Sequence, residues 1–224
     1  MELLEFPWGR RGTVFLLRVD LRFRWHSGFH ISGERVELWT DKALALDWKD
    51  EAFPTIPATT LKGWLREGAE RALRGLGVEV CDASQAGTTC GICPVCEVFG
   101  HPRGKSPLFF EDVVLRDTLR STRMGVSLSR FRRTAYEERL FSLETGFCPG
   151  FQASVRGIFA AEEKAKKAAS LLFAGVRVPF ALGAGRSRGL GWFSFEERGF
   201  VASVNGTSLK EEDLISELLA LRAG

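Results

Sequence analysis

Hydrophobic and charged residues alternate near the start of the chain, within residues 13–25. Every second position is apolar, and these positions share one face: Val19, Leu21, Phe23 and Trp25. A period of two residues is typical of a strand that buries one face, so the pattern predicts a half-buried β-strand. Residues 26–58 show no such period and predict a long irregular connection.

A helix is predicted next, starting near Thr59 or Thr60, either of which could cap it, with Gly75 and Gly77 marking its end. Its apolar residues recur at a helical period: Leu61, Trp64, Leu65, Ala69, Ala72, Leu73 and Leu76. Gly63 and Gly68 lie inside this helix, where each glycine costs up to about 1 kcal/mol relative to alanine. Glycine at these positions is consistent with a close approach to the helix, for which packing against the sheet is the commonest reason.

Further elements follow in the second half of the chain. A helix is predicted over residues 161–173, and a last helix follows Ser208, which forms a capping box with Glu211. Short strands are predicted over residues 108–115, 151–159, 176–182, 192–195 and 200–204. The resulting order of strand, helix, strand, strand, helix and strand is that of the ferredoxin-like fold and of the RNA-recognition motif.

We therefore expect an α+β, ferredoxin-like (RRM-like) βαββαβ domain over residues 1–224, with a C-terminal helix. Three long connections interrupt it as insertions: residues 26–58, 77–107 and 116–150. Long connections without a core of their own are usually functional or disordered.

Composition and targeting signals agree with an ordinary globular domain. The chain has 224 residues, of which 45% are hydrophobic, and no apolar run approaches the roughly 20 residues that a membrane helix needs. The first residues, Met1-Glu2-Leu3-Leu4-Glu5, place acids where a secretory signal would carry basic residues. We expect a cytoplasmic protein with no membrane partner.

Charge is distributed unevenly, although the net charge is only +3. Residues 116–139 contain seven arginines against three acidic residues, a local net charge of +4. Concentrated positive charge favours an anionic partner such as nucleic acid. The alternative is a solvated surface segment without a partner.

Four of the five cysteines lie in the second insertion: Cys81, Cys90, Cys93 and Cys96. Two successive two-residue gaps let three thiolates reach one ion, and the first cysteine completes a tetrahedral set that is typical of structural zinc. His101 is an alternative to the first cysteine as fourth ligand. An iron–sulfur cluster and reduced cysteines without metal are the other interpretations. We expect Cys148 to be a small buried side chain.

The segment Gly183–Gly191 contains four glycines among nine residues, together with Arg186, Ser187 and Arg188. Glycines leave backbone N–H groups accessible to phosphates, and the two arginines add charge. No Gly-Lys-Ser/Thr follows, which excludes a Walker loop. The segment predicts either a phosphate-binding loop or a structural turn.

Two further groups of residues have the chemistry of a site. Thr59, Thr60 and Lys62 at a helix start indicate an anion site, although an ordinary helix start has the same pattern. His26 and His30 follow the first strand and could act as general acid and base on RNA. Three nearby carboxylates could bind a divalent cation or act as a base: Glu34, Glu37 and Asp41. Satisfied histidines and solvated carboxylates are the alternatives.

Several short motifs, in this order, resemble those of the CRISPR RAMP proteins. The resembling segments are Pro57-Ala-Thr-Thr-Leu-Lys-Gly63 (family signature Pro-Gly-Ser-Ser-Leu-Lys-Gly), Cys96-Glu-Val-Phe99-Gly100 (Leu-Phe-Gly), Val126–Arg130 with Leu140, Phe141 and Glu144 (Ile-Asp-Arg, Leu-Phe, Glu), and the C-terminal glycine-rich loop Gly183–Gly191. The motifs span most of residues 26–195, and the closest group is the backbone subunit of type III effector complexes.

This resemblance implies a subunit that polymerises along a CRISPR guide RNA in defence against foreign nucleic acid. Its implied partners are guide RNA, target RNA or DNA, copies of itself and other effector subunits. It also implies that residues 116–150 form a thumb across the guide–target duplex and that the cysteine insertion binds zinc. The expected RNA contacts are Thr59, Thr60, Lys62, Arg66, Arg123, Arg130, Arg132, Arg133, Gly183, Gly185, Arg186, Ser187, Arg188 and Gly189.

Active relatives place a catalytic aspartate in the first long loop, whereas this chain reads His30-Ile-Ser-Gly-Glu-Arg35. Glu34 is the nearest carboxylate, and it is the candidate catalytic residue, with a divalent cation, if the protein cuts target RNA. Two other functions remain open from the sequence. One is a guide-processing endoribonuclease that uses His26 or His30, and the other is a zinc-stabilised protein-interaction adaptor.

Overall fold

The computed structural model describes residues 13–83 and 86–222. The N-terminal residues on which the expectation about a secretory signal rests lie outside these ranges. The described chain combines helices with antiparallel sheet, which confirms the α+β class. No helix in the described ranges combines the length and the apolar character needed to cross a membrane.

The secondary structure of the described residues comprises nine strands, four α-helices and two short 3₁₀ turns. The strands are β1 (Phe15–Trp25), β2 (Thr55–Ile56), β3 (Leu108–Phe110), β4 (Val113–Val114), β5 (Leu119–Leu128), β6 (Ala135–Phe147), β7 (Gly150–Phe159), β8 (Phe193–Val204) and β9 (Thr207–Ser208). The helices are α1 (Ala58–Gly75), α2 (Pro94–Phe99), α3 (Glu162–Arg177) and α4 (Glu211–Ala220), and the 3₁₀ turns are Ala86–Thr88 and Arg186–Arg188.

The main sheet has the strand order β3-β7-β1-β8-β9, and its paired strands are antiparallel. Strand β1 lies in the centre, and the face predicted from its alternation is buried as expected: Val19, Leu21, Phe23 and Trp25. Arg18, Arg22 and Arg24 lie on the opposite, exposed face. In α1, Trp64 packs its ring against Phe23 at a centroid distance of 5.7 Å, so this helix covers the buried face.

Helices α1 and α3 cross at two glycines. A Cβ at Gly68 would overlap the carbonyl oxygen of Gly175, and a Cβ at Gly175 would lie 2.6 Å from the carbonyl oxygen of Leu65. The close approach expected at Gly68 is therefore present, but the neighbour is helix α3 and not the sheet. Gly63 differs, because a Cβ there would meet nothing within 4 Å.

Several predicted elements need correction. Residues 176–182 are not a strand, because α3 continues to Arg177 and only Ala181 forms an isolated bridge, to Trp192. The strand predicted over 108–115 is split, since β3 joins the main sheet while β4 pairs with β2. Residues 192–195 and 200–204 belong to one long, irregular strand, β8.

Both predicted helix caps are also wrong. Pro57 is the N-cap of α1, and neither Thr59 nor Thr60 caps it. The free N–H of Ala58 donates instead to the carboxylate of Asp112, which is 54 residues away in sequence, at 2.6 Å. In α4 the N-cap is Lys210, whose N–H donates to Asp213 at 3.3 Å, so Ser208 and Glu211 form no capping box.

Strands β5 and β6 form a long hairpin where the sequence predicted no element. Their pairing runs from Leu119 opposite Phe147 to Leu128 opposite Ala135. We call residues 119–147 the arginine hairpin. Most of its outer part is exposed on both faces, so it lacks the alternation that identifies a half-buried strand.

Candidate nucleic-acid interface and metal centre

The glycine loop, Gly183–Gly191, is fastened to the segment that follows β1. The N–H of Ala184 donates to the carbonyl of His30, and the N–H of Gly191 donates to the carbonyl of Gly28, both at 2.8 Å. Gly183 has φ +92° and touches the backbone of His30, so a side chain there would clash. Glycine at this end of the loop is thus explained by packing alone.

The middle of the loop is exposed and basic. Arg186, Ser187 and Arg188 form a 3₁₀ turn in which all three residues face solvent. Arg186 pairs with Glu67 of α1 at 3.3 Å, which places the loop beside that helix. Among the described residues, Arg188 has no acidic partner. Gly189 is open too, since a Cβ there would meet nothing within 4 Å.

The start of α1 is less suited to an anion than its sequence indicated. Its first N–H is already bonded to Asp112, which also places a negative charge at the helix terminus. Thr59 is exposed and Thr60 is half-buried. Lys62 is half-buried, and its pKa is lowered by burial and then by the nearby charge of Arg66. The first basic residue of this helix, Lys62, lies in its second turn.

Arg66 holds the cysteine insertion against α1. Its Nη1 donates to the carbonyl of Gly100 at 2.9 Å, its Nη2 to Sγ of Cys96 at 3.5 Å, and its Nε to Glu70 at 3.0 Å. Three partners within the protein account for most of its donors. Its role in RNA contact stays a prediction, whereas its role in joining two elements is visible.

The arginine hairpin extends the basic surface. Arg123, Arg130, Arg132 and Arg133 are exposed. Near the base, a Cβ on Gly28 would lie 3.7 Å from Nη2 of Arg123, so this arginine approaches the segment that also holds the glycine loop. The three others lie in the tip turn, together with Phe131, which is 96% exposed. The turn is ordered by Ser129, whose carbonyl accepts from the N–H of Arg133 at 2.8 Å.

A buried carboxylate anchors the base of this hairpin. Glu144 in β6 is 4% exposed, and Nε of Arg120 donates to it at 2.7 Å. Its other oxygen accepts from the N–H of Leu44 at 3.0 Å and lies 3.7 Å from Nη2 of Arg35. Residue Glu144 therefore ties the hairpin to the first long loop. The sequence offered no signal for this ion pair beyond the family motif.

The same base fixes His30. Its ring is fully buried, with Nδ1 at 2.7 Å from the carbonyl of Glu144 and Nε2 at 2.9 Å from Oγ of Ser32. Both ring nitrogens are thus occupied, and burial lowers the pKa of this histidine. This placement disfavours His30 as an acid–base catalyst and explains it as a structural residue. His26, in contrast, is exposed.

The three carboxylates of the first loop do not form one site. Glu34 is exposed, and Glu37 pairs with Arg35 at 2.8 Å. The carboxylate of Asp41 accepts from the N–H and the hydroxyl of Ser142, which lowers the pKa of Asp41 and uses it to dock the loop on the hairpin. Glu34 is the one of the three with no such partner among the described residues.

The four predicted cysteines converge. The thiols of Cys81, Cys90, Cys93 and Cys96 lie within 4.8 Å of one another, and no histidine belongs to this described group. A tetrahedral site with Zn–S bonds of about 2.3 Å needs sulfur separations of roughly 3.8 Å. Sγ of Cys81 lies 3.7 Å from Sγ of Cys93 and 3.3 Å from Sγ of Cys96, so the set fits a closed zinc site.

Local structure explains how the thiols face one point. Cys93 caps α2, and its N–H donates to Sγ of Cys90 at 3.3 Å. Backbone N–H donors lower the pKa of Cys90 to about 6, whereas burial and then neighbouring thiols raise the pKa of Cys81 to about 12. A bound metal would hold every thiol deprotonated. Cys148 is buried elsewhere, as expected.

Comparison with known proteins agrees with this architecture. A family model of the RAMP superfamily matches residues 49–194, whereas no curated protein sequence matches significantly. Among solved structures, a cryo-EM structure of the Type III-B Cmr-beta bound to cognate target RNA aligns with a TM-score of 0.56 at 16% identity. The alignment covers 84% of this chain and 60% of that one. Because the family model matches more than half of this chain, the chain belongs to the RAMP superfamily.

Proposed function

We propose that this protein is an RNA-binding backbone subunit of a type III CRISPR effector ribonucleoprotein. In this role it polymerises along the guide RNA and holds the guide–target duplex. The proposal is supported by membership of the RAMP superfamily and by the likeness to a type III-B complex that is bound to target RNA.

One structural observation carries the proposal. The segment Gly28–His30 binds the glycine loop on one side and the hairpin base on the other, where Phe29 and Gly146 exchange two backbone hydrogen bonds of 2.8 and 2.9 Å. The glycine loop, with its exposed arginines, and Arg123 of the hairpin therefore flank one short segment. Backbone phosphates are the ligands that such arginines recognise, since their planar forks match phosphate geometry.

We propose a single ferredoxin-like domain with insertions at residues 26–58, 77–107 and 116–150. The order β1, α1, β3, β7, α3 and β8 supports this assignment, with the arginine hairpin as the thumb. The proposed phosphate contacts are Lys62, Arg123, Arg130, Arg132, Arg133, Arg186, Arg188 and the backbone of the glycine loop. These contacts carry no base code, so specificity would come from pairing with the guide.

We assign zinc a structural role, because four cysteine ligands leave no open position for a substrate. If the assembled complex cuts target RNA, Glu34 is the proposed catalytic carboxylate, with a divalent cation. Its exposure in the first loop supports this choice over Glu37 and Asp41, which have partners.

Assembly on RNA tests the backbone role. Mass photometry of the purified protein on RNAs of increasing length should show more copies bound as the RNA becomes longer. Arg188→Gln should reduce the number of copies bound to each RNA. Arg156→Gln should not, because Arg156 lies on the exposed face of the main sheet and pairs with Glu111. One copy bound at every RNA length would rule out the backbone role while leaving RNA binding intact.

A further inference from the structure

A second basic surface lies along α1, beside the part of the helix that the glycine loop contacts. A cleft of about 570 Å³ separates this helix from the turn that follows α2. Its basic lining residues are Lys62, Arg66, His101 and Lys105. No acidic side chain lines the cleft within the part of the chain that the structure describes. We call residues His101–Ser106 the basic turn.

The basic turn is held in a fixed shape. His101 and Gly104 exchange two backbone hydrogen bonds of 2.9 Å, and Ser106 donates its hydroxyl to the carbonyl of Val98 at 2.8 Å. The ring of His101 lies against Gly91, where a Cβ would come within 2.9 Å of it. The turn is therefore seated on the cysteine insertion, and Lys105 extends from a rigid support.

Charge in the cleft is neutralised at Arg66, which pairs with Glu70 at 3.0 Å, but not at its lysines within the described structure. Lys62 and Lys105 form no ion pair there, and Arg103 is exposed on the same turn, also without an acidic partner. The lowered pKa of Lys62 agrees with a partly buried cation whose strongest charged neighbour is another cation, Arg66. A partly desolvated positive cleft attracts anions more strongly than an exposed lysine does.

The cleft and the glycine loop contact neighbouring positions of α1. Arg66 reaches the basic turn through Gly100, and Glu67, the next residue, pairs with Arg186 of the glycine loop. A strand of RNA that crosses this helix would thus meet a basic group on either side. Asp112 already occupies the first N–H of the helix, so the helix terminus itself is not the source of attraction.

We infer that the cleft between Lys62 and the basic turn binds a backbone phosphate of the guide RNA, with Lys105 and Arg103 as contacts that the family motifs do not include. This inference rests on the proposed function. It adds a second phosphate contact, on the side of α1 that faces the cysteine insertion. It also makes the cysteine cluster a support for RNA contact, since the turn is seated on it.

Salt-dependent filter binding with a single-stranded RNA tests this inference. For single strands, the slope of log affinity against log salt becomes shallower by about 0.7 for each phosphate that the protein no longer neutralises. We expect a change of about this size for Lys105→Gln combined with Arg103→Gln, and a smaller one for Lys105→Gln alone. Lys210→Gln, at the start of α4, is the matched control and should leave the slope unchanged.

The possible outcomes distinguish failure of the cleft as a phosphate site from failure of the proposed function. If the unmodified protein binds RNA and the variants keep both its affinity and its slope, the cleft is not a phosphate site and the proposed function stands. If the unmodified protein binds no RNA, both fail. A lysine-acetylation footprint gives a second readout, in which RNA should protect Lys62 and Lys105 but not Lys210.

Discussion

The guanidinium of Arg66 reaches the cysteine cluster, with its Nη2 at 3.5 Å from Sγ of Cys96. A charged donor to one of the sulfur ligands helps stabilise the negative charge of a four-thiolate site. The same side chain binds the carbonyl of Gly100, the residue that precedes the basic turn. Metal binding, helix α1 and the proposed phosphate cleft are therefore linked through one residue.

We predict one zinc ion per chain, whose removal destabilises the protein. The cysteine insertion has few buried apolar residues of its own beyond α2, so the metal supplies much of its folding energy. Elemental analysis should find one equivalent of zinc, and a strong chelator should lower the Tm. Cys90→Ser should reduce the metal content, whereas Cys148→Ala should retain it. Iron in place of zinc would contradict the assignment.

Gly63 and Gly68 in the interior of α1 should respond in opposite directions to alanine. Gly68→Ala forces a methyl group onto the backbone of Gly175 and should destabilise the fold by about 2 kcal/mol. Gly63→Ala meets open space and should stabilise the helix by about 0.5–1 kcal/mol. Denaturant unfolding of both variants measures the difference. Equal stability of the two variants would show that α1 and α3 do not cross at Gly68.

Removal of the carboxylate at the hairpin base should loosen the first long loop. Glu144→Gln leaves Arg120 and Arg35 without their buried partner and should cost about 2–3 kcal/mol of unfolding free energy. Glu137→Gln, on the exposed part of β6, is the control and should stay within about 0.5 kcal/mol. A destabilisation at Glu144 no greater than at the control would contradict its anchoring role.

Stability should fall as the pH is lowered towards about 5, because of His30. Burial lowers its folded-state pKa below the unfolded value, so the unfolded state binds more protons in this range. The stabilising contribution is complete above the unfolded pKa of about 6.5 and is lost as the pH falls through the folded pKa. His30→Asn should flatten this dependence, while His26→Asn, at an exposed site, should not. If the unfolding free energy of the wild type and of His30→Asn changed equally with pH, this explanation would be contradicted.

Regular patterns identified the elements with one buried face. β1 and β7 were predicted because their side chains alternate between core and solvent, and α1 because its apolar face matches the helical period. The arginine hairpin was missed because long-range pairing, not a buried face, defines most of it. The false strand at 176–182 came from apolar residues that complete α3 and enter the glycine loop.

The candidate sites were predictable to different degrees. The cysteine cluster followed from spacing alone, because short gaps constrain where thiols point. The cap on α1 did not, since Asp112 comes from 54 residues away. His30 was one candidate catalyst because its residue type is reactive, whereas its buried hydrogen bonds to Glu144 and Ser32 depend on the fold. Lys105 was overlooked, although the basic run Arg103-Gly-Lys105 was visible in the sequence.

The salt dependence of RNA affinity tests the central claim most directly. The account predicts that the purified protein binds single-stranded RNA, and that log affinity falls linearly with log salt at about 0.7 per phosphate contact. Arg188→Gln combined with Arg132→Gln should make the slope shallower, and Arg156→Gln should not. Absence of RNA binding at low salt, or an affinity that does not change with salt, would contradict the account.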